Sequence, residues 1–168
     1  MASSSSASER GRLHTGVGYG GVPAESRAAA LRVGPISLGS LGAITRDQLP
    51  LARLGQSRFP ALESIAVIEA GAAVTVAIPA HERQFVGFIY TQDKFRADGA
   101  YRIRDLDWVV RFQACRDPNF NKGIGQFDGG VVVAGRRCFH LDFYIDGRGG
   151  VVRRRVPATG PCHAPFLP

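Results

Sequence analysis

The chain has 168 residues, 45% of them hydrophobic, and a formal net charge of +7. That length fits one domain with its own core, and no apolar run reaches the roughly 18 residues of a membrane-spanning helix. The basic balance suits an anionic partner, yet only Arg136-Arg137 and Arg153-Arg154-Arg155 cluster and Lys94 and Lys122 are the only lysines, a bias of composition that makes nucleic acid a disfavoured partner.

Residues 1–28 are rich in Ser, Gly and Ala and poor in large apolar side chains. They bury too little surface to offset ordering entropy, so a disordered leader is expected there. The opening MASSSSASERGRLHTG has no apolar stretch of the secretory-signal kind. Short helical turns are expected at Glu25–Leu31, where AESRAAAL is a good helix former, and at Asp47–Leu54. The domain itself is expected over residues 31–162, with a tail at 163–168.

LRVGPISLGS reads as a first strand, placed at a sheet edge by Pro35. From Ser64 the apolar and polar residues alternate. Ile65 and Val67 share one strand face, Val74, Val76 and Ile78 share another, and Ala70-Gly71 between the runs predicts a hairpin. Phe85–Thr91 is apolar on both faces and reads as a central strand, and Tyr101–Arg104 is a short run. Asp107–Cys115 puts Trp108, Val110, Phe112 and Ala114 on one face and Val109, Arg111, Gln113 and Cys115 on the other. Val131–Ala134 follows Gly129-Gly130. Cys138–Ile145 turns Phe139, Leu141, Phe143 and Ile145 inward and Cys138, His140, Asp142 and Tyr144 outward. After a turn marked by Asp146-Gly147 and Gly149-Gly150, Val151–Val156 returns.

About eight or nine short strands, with no helix–strand alternation and no repeat, predict an all-β domain. The expected architecture is an antiparallel β-sandwich of Greek-key or immunoglobulin-like type, with a small β-barrel as the alternative. Val74, Val76, Ile78, Trp108, Val110, Phe112, Leu141 and Phe143 are the expected core.

Candidate chemistry is sparse. Cys138, His140 and Asp142 fall on one strand face, and a thiol, an imidazole and a carboxylate together suit zinc or a nucleophile site. The plainer reading is the polar outer face of a strand whose other face is core, and no metal is assigned. Asp117, Asn119 and Asn121, with Asp128 at the twelfth position, space their oxygens as a calcium loop does. Lys122 stands where that loop needs glycine, so a polar connection is the plainer reading. In GRGGVVRRR, Arg153 and Arg155 share a face and are the candidate anion contacts. No aromatic residue interleaves with them, and an edge strand protected by charge is the plainer reading.

Cys115 and Cys138 end and begin strands, where a disulfide is within reach if the strands are neighbours. Cys162 can replace either partner, and in a reducing compartment all three remain thiols. The chain has no Gly-x-Ser-x-Gly elbow, phosphate loop, dinucleotide fingerprint or CxxC. No catalytic residue and no cofactor are therefore assigned.

Taken together, VVRFQAC, a loop, GGVVVAGRRC, an alternating strand and a closing cysteine resemble a group of uncharacterised small extracytoplasmic β-domain proteins of high-GC Gram-positive (actinobacterial) type. RVGPISLGSLG and AGAAVTVAIP are similar to that group too, so the resemblance runs from about Leu31 to Cys162. It implies a secreted or cell-envelope β-domain, non-catalytic, with a structural or binding role, an envelope or protein partner and a Cys115–Cys138 disulfide. The chain departs from the group in showing no export or membrane segment, which keeps a cytoplasmic location as the alternative. The other functional expectations are a nucleic-acid-binding protein using the Arg153–Arg155 strand and an enzyme dependent on Cys138, His140 and Asp142 or on a metal.

Overall fold

Short apolar runs broken by Gly, Pro and Asp turns favour strands over helices. The described residues accordingly hold no helix beyond single 3-10 turns at Ala80–Glu82, Gln92–Lys94 and Ile103–Asp105. The computed structural model describes residues 12–14, 30–42, 59–115, 124–134 and 138–157. In chain order the strands are β1 (Arg12–His14), β2 (Leu31–Val33), β3 (Ile36–Leu38), β4 (Phe59–Glu63), β5 (Ala66–Ile68) and β6 (Ala73–Ala77). There follow β7 (Val86–Phe88), β8 (Ala100–Tyr101), β9 (Val109–Gln113), β10 (Gly125–Phe127), β11 (Gly130–Val133), β12 (Phe139–Ile145) and β13 (Val152–Val156).

They form three sheets, ordered β1-β9-β6-β12-β13, β10-β5-β3-β2 and β7-β11-β4-β8. All the pairings are antiparallel except that of β1, which runs parallel to β9. The all-β expectation therefore holds. Among the described residues no sheet closes on itself, which removes the barrel alternative.

Period 2 decides which side chains meet. Val74 and Val76 of β6, Val110 and Phe112 of β9, and Phe139, Leu141 and Phe143 of β12 point to one side and are buried. Ile36, Leu38, Ala66, Ile68 and Phe127 from the second sheet and Leu62, Val86, Phe88, Val131 and Val133 from the third join them in one core. Aromatic rings bridge the three sheets. Phe88 lies 6.2 Å from Tyr90, Tyr90 5.0 Å edge-on from Phe112, and Phe112 5.2 Å from Phe127. The Tyr90 hydroxyl donates a 2.7 Å hydrogen bond to the Ser64 carbonyl, and burial pushes the phenol's pKa upward.

Several expectations need correction. Trp108 is 38% exposed, not core. Asp107 bridges to Phe88 of the third sheet, and the regular extension of β9 starts only at Val109, so the alternation that buries Val110 and Phe112 does not reach back to Trp108. Its indole instead lies under the Arg83 guanidinium, 5.6 Å from the ring centroid.

The hairpin expected between the Ile65 and Val74 runs is also absent. A turn closed by Ala72 N donating to Glu69 O carries the chain from the second sheet to the first, so β5 and β6 never pair. Ala66 and Ile68 are the buried face of β5, leaving Ile65 and Val67 half-buried.

LRVGPISLGS is a hairpin of its own, β2 to β3. Its two-residue turn puts Gly34 at φ +55°, a conformation that only glycine adopts freely, and follows it with Pro35, whose φ is fixed. β7 ends its sheet instead of lying at the centre. Its second face is apolar because a smaller cluster of Ile89, Tyr101, Ile103, Leu106 and Val132 covers that side of the sheet.

Within the leader expected to be disordered, Arg12–His14 add a strand to β9. The rest of residues 1–28, the Asp47–Leu54 turn, the loop with Asp117, Asn119 and Asn121, and the 163–168 tail lie outside the described residues, as does the Glu25–Leu31 turn except for Leu31, which opens β2.

These placements fix three outcomes for a denaturant titration. Phe143→Ala, at a fully buried position, is expected to cost about 3–5 kcal/mol. Trp108→Ala is expected to cost less than about 1 kcal/mol, because its face is already wet. Tyr90→Phe is expected to cost about 1–3 kcal/mol, since it leaves the buried Ser64 carbonyl without this donor.

Candidate functional site

The β12–β13 hairpin organises the polar face of the first sheet. Its register sets Asp142 opposite Arg153 and His140 opposite Arg155. On the other side β12 pairs with β6, setting Asp142 beside Ala77 and Tyr144 beside Thr75. β9 then continues the rows with Val109 and Arg111. The outward placement of His140, Asp142 and Tyr144 expected from the alternation is what the strand adopts, while Cys138 precedes it.

Asp142, His140 and Arg111 on this face each have a named partner across the sheet or beyond it. Asp142 is 6% exposed and takes a two-point hydrogen bond from Arg153, Nε to Oδ1 at 2.6 Å and Nη2 to Oδ2 at 2.8 Å. The Arg153 guanidinium holds the Asp142 carboxyl below the usual carboxylate range. Burial opposes that shift, and the charges of Arg153, His140 and His81 reinforce it.

His140 is held from a different element. Pro79 ends the run of β6, and the 3-10 turn Ala80–Glu82 swings the Glu82 carboxylate over β12. Glu82 Oε2 accepts from the His140 backbone N–H at 2.6 Å, and Oε1 stands 2.7 Å from Nδ1 of the ring. His81 Nε2 lies 3.6 Å from the same Glu82 oxygen and is itself largely exposed.

At the far end of the face Arg111 makes a two-point contact with Asp146 and a 3.3 Å bond to the Thr75 hydroxyl. The Asp146 carboxyl is held low by Arg111.

The structure therefore brings His140 and Asp142 to one surface but does not join them with Cys138 into a reactive or metal-ligating centre. Among the described residues no group of three or more His, Cys, Asp and Glu side chains is arranged to hold a metal ion. Cys138 is disulfide-bonded. Cys115 carries a free, exposed thiol at the end of β9, so the expected Cys115–Cys138 bond is not formed. The reason lies in the strand order: Cys115 follows β9 and Cys138 precedes β12, and β6 runs between these two strands.

Of the arginine pair proposed as anion contacts, Arg153 is tied to Asp142 while Arg155 is exposed, with no carboxylate paired to it among the described residues. Arg154 lies on the same side of β13 as Val152 and Val156, yet is exposed. A charge turned toward the core side of a terminal strand is a known guard against edge-to-edge pairing.

Sequence reasoning missed Glu82, Arg83 and Asp146. Glu82 lies 58 positions from His140, and no periodicity links a short 3-10 turn to a distant strand. Pro79 at the end of an alternating run was the one available signal that the chain turns there.

An open groove of about 520 Å³ runs along this face, floored by Thr75, Ala77 and Val109 and walled by Tyr144, Arg153 and Arg83. A second, of about 940 Å³, lies at the other end of the same strands beside Cys115, Asp146 and Arg148. No family model matches the chain, and no match was found among the curated proteins or the solved structures.

The Asp142–Arg153 pair sets a pH dependence of defined sign. A carboxyl held low in the folded state stabilises at pH values above its unfolded pKa of roughly 3.9, and that stabilisation is lost as pH falls through the lower folded value. Urea titrations from pH 6 downward are expected to show a smaller acid-side loss in Asp142→Asn than in the parent chain. At neutral pH, Arg153→Ala is expected to lower the urea midpoint, because it leaves the covered Asp142 carboxylate without its partner.

Proposed function

We propose that the chain is a non-catalytic β-sandwich module of Greek-key or immunoglobulin-like type, secreted or held in the cell envelope, with a binding or structural role. One observation carries the role: the ionisable groups that could do chemistry on the outer sheet face are engaged in ties between strands. Glu82 grips His140, Arg153 grips Asp142 and Arg111 grips Asp146. A general base or nucleophile needs a lone pair aimed at substrate, whereas these carboxylates are aimed at neighbouring strands. The same face leaves Tyr144 48% exposed and Val151 47% exposed, which suits contact with a ligand or partner.

A disulfide at Cys138 fits the envelope location, because stable disulfides belong to oxidising compartments. The likeness of the cysteine-bearing strands to extracytoplasmic actinobacterial β-domains points the same way. The sandwich reading draws support from one core shared by three antiparallel sheets. The nucleic-acid reading has less behind it, since Arg153 is tied to Asp142 and Arg154 lies on the opposite side of the strand.

Thiol labelling of protein recovered from its own cells without reductant tests the location. Cys115 is expected to label before reduction, and Cys138 and Cys162 only after it. Labelling of all three before reduction would overturn the envelope reading.

A further inference from the structure

β13 walls the trough on the outer face of the first sheet with Arg153, and it is the last strand of that sheet. Which of its backbone groups look outward is fixed by β12. Asp146 N–H donates to Ala73 O of β6, and His140 N–H donates to Glu82, just beyond β6. The even-numbered residues of β12 thus turn their backbone groups toward β6, and the odd-numbered ones toward β13. The register then makes Phe139 with Val156, Leu141 with Arg154 and Phe143 with Val152 the hydrogen-bonded pairs. Arg153 and Arg155 are left with N–H and C=O directed to the open edge. Among the described residues, the one hydrogen bond these groups receive comes from Arg154 Nη1, which donates to Arg153 O at 3.1 Å.

The side chains decide what this edge can take. Arg153 is neutralised by its two-point contact with Asp142. Arg154 and Arg155 are exposed, on opposite faces of the strand, and among the described residues neither is paired with a carboxylate. Glu82 is committed to the ring and backbone of His140. Two copies of β13 paired edge to edge would set arginine against arginine, so the charge excludes self-association. The same charge favours a strand of opposite sign, whose residues facing Arg154 and Arg155 are neighbours in sequence and point to opposite faces. A polyanion without N–H donors matches the guanidinium groups but leaves the carbonyls of Arg153 and Arg155 unmet, and β13 holds no aromatic platform for bases.

We propose that the open edge of β13 binds an extended acidic segment of a protein partner, which adds to the first sheet as a further strand and sets neighbouring carboxylates on Arg154 and Arg155. The inference rests on the reading of the chain as a binding module and names that module's partner. The arriving backbone N–H replaces Arg154 Nη1 at Arg153 O, which releases that guanidinium for its carboxylate.

The test is a calorimetric and NMR titration of the full chain with a capped peptide of about eight residues, β-branched around a central Glu-Glu-Glu. Three comparison probes are the Gln-Gln-Gln peptide, the acidic peptide with its central nitrogens methylated, and single-stranded oligothymidylate. The acidic peptide is expected to bind with a dissociation constant below about 1 mM, and each comparison probe at least about tenfold more weakly. The amides of Arg153 and Arg155 are expected to exchange at least about fivefold more slowly at saturation. Arg154→Gln with Arg155→Gln is expected to weaken the acidic peptide at least about tenfold. Arg32→Gln with Arg102→Gln removes the same charge at exposed positions elsewhere and is expected to weaken it less than about twofold. All four arginines are exposed, so both double variants are expected to keep the parent's unfolding midpoint. Equal binding of any comparison probe, unchanged exchange at Arg153 and Arg155, equal losses in the two double variants, or no resonance shift at millimolar peptide would each overturn the inference. The thiol-labelling result is read at the cysteines and stands or falls separately, so a failed titration with oxidised Cys138 removes the partner class and leaves the module.

Discussion

The packing turns on one buried phenol. Tyr90 is 5% exposed, its ring meets Phe112 of the first sheet edge-on, and Phe112 meets Phe127 of the second. Phe88, two residues earlier on the third sheet, completes the chain of rings. A phenolic hydroxyl in an apolar core is costly unless it finds an acceptor. It finds Ser64 O, at the point where the chain leaves β4 for β5 and so moves from the third sheet to the second. The backbone of Ser64 is held on its other side by its N–H to Gly129 O. Gly129 itself must lack a side chain, because a Cβ there would stand 2.3 Å from Tyr90 Cδ1. One ring, one carbonyl and one glycine thus lock the crossing between two sheets.

On the opposite surface the ties are ionic and cheap to form where they lie. Exposed ion pairs contribute little to stability, but a carboxylate as covered as Asp142 cannot stand without its guanidinium. The difference sorts the pairs on this face. Arg111–Asp146 is exposed on both sides and serves mainly to align β9 with the β12–β13 turn, whereas Asp142–Arg153 and Glu82–His140 are partly buried and fix register. Glu82 matters because it ties the β6–β7 connection, which would otherwise overhang the sheet, to the backbone of β12. That places Arg83 next to the trough and Trp108 beneath it.

Much of this was legible in the sequence wherever period 2 ran uninterrupted. Phe139, Leu141, Phe143 and Ile145 alternate cleanly and are all buried, with their neighbours His140, Asp142 and Tyr144 on the other face, as expected. Legibility failed where a rule of local pattern met a change of sheet. Asp107 bridges to the third sheet, so the alternation counted back from Phe112 misplaced Trp108. Ala70-Gly71 has the composition of a hairpin, but composition fixes only that the chain turns, not which strand it then joins. The cysteines failed for the same reason. Lying at strand ends brings two thiols close only if those strands are neighbours, and the insertion of β6 between β9 and β12 is a fact of topology that no local window contains.

The trough follows from the same separation between pattern and topology. Alternation alone puts Thr75 and Ala77 on the outer face of β6, where small side chains look like indifferent surface. Their meaning comes from position: β6 is the middle strand of five, with β9 on one side and β12 on the other. At a sheet edge, small residues would open only onto solvent. At the centre, flanked by Tyr144 and Arg153 and closed at one end by the Pro79–Arg83 segment, they create a depression with walls. A depression of this kind needs no reactive group and no strained backbone, only a contrast in side-chain size between neighbouring strands. That is why the face can carry fully engaged carboxylates and still hold a trough.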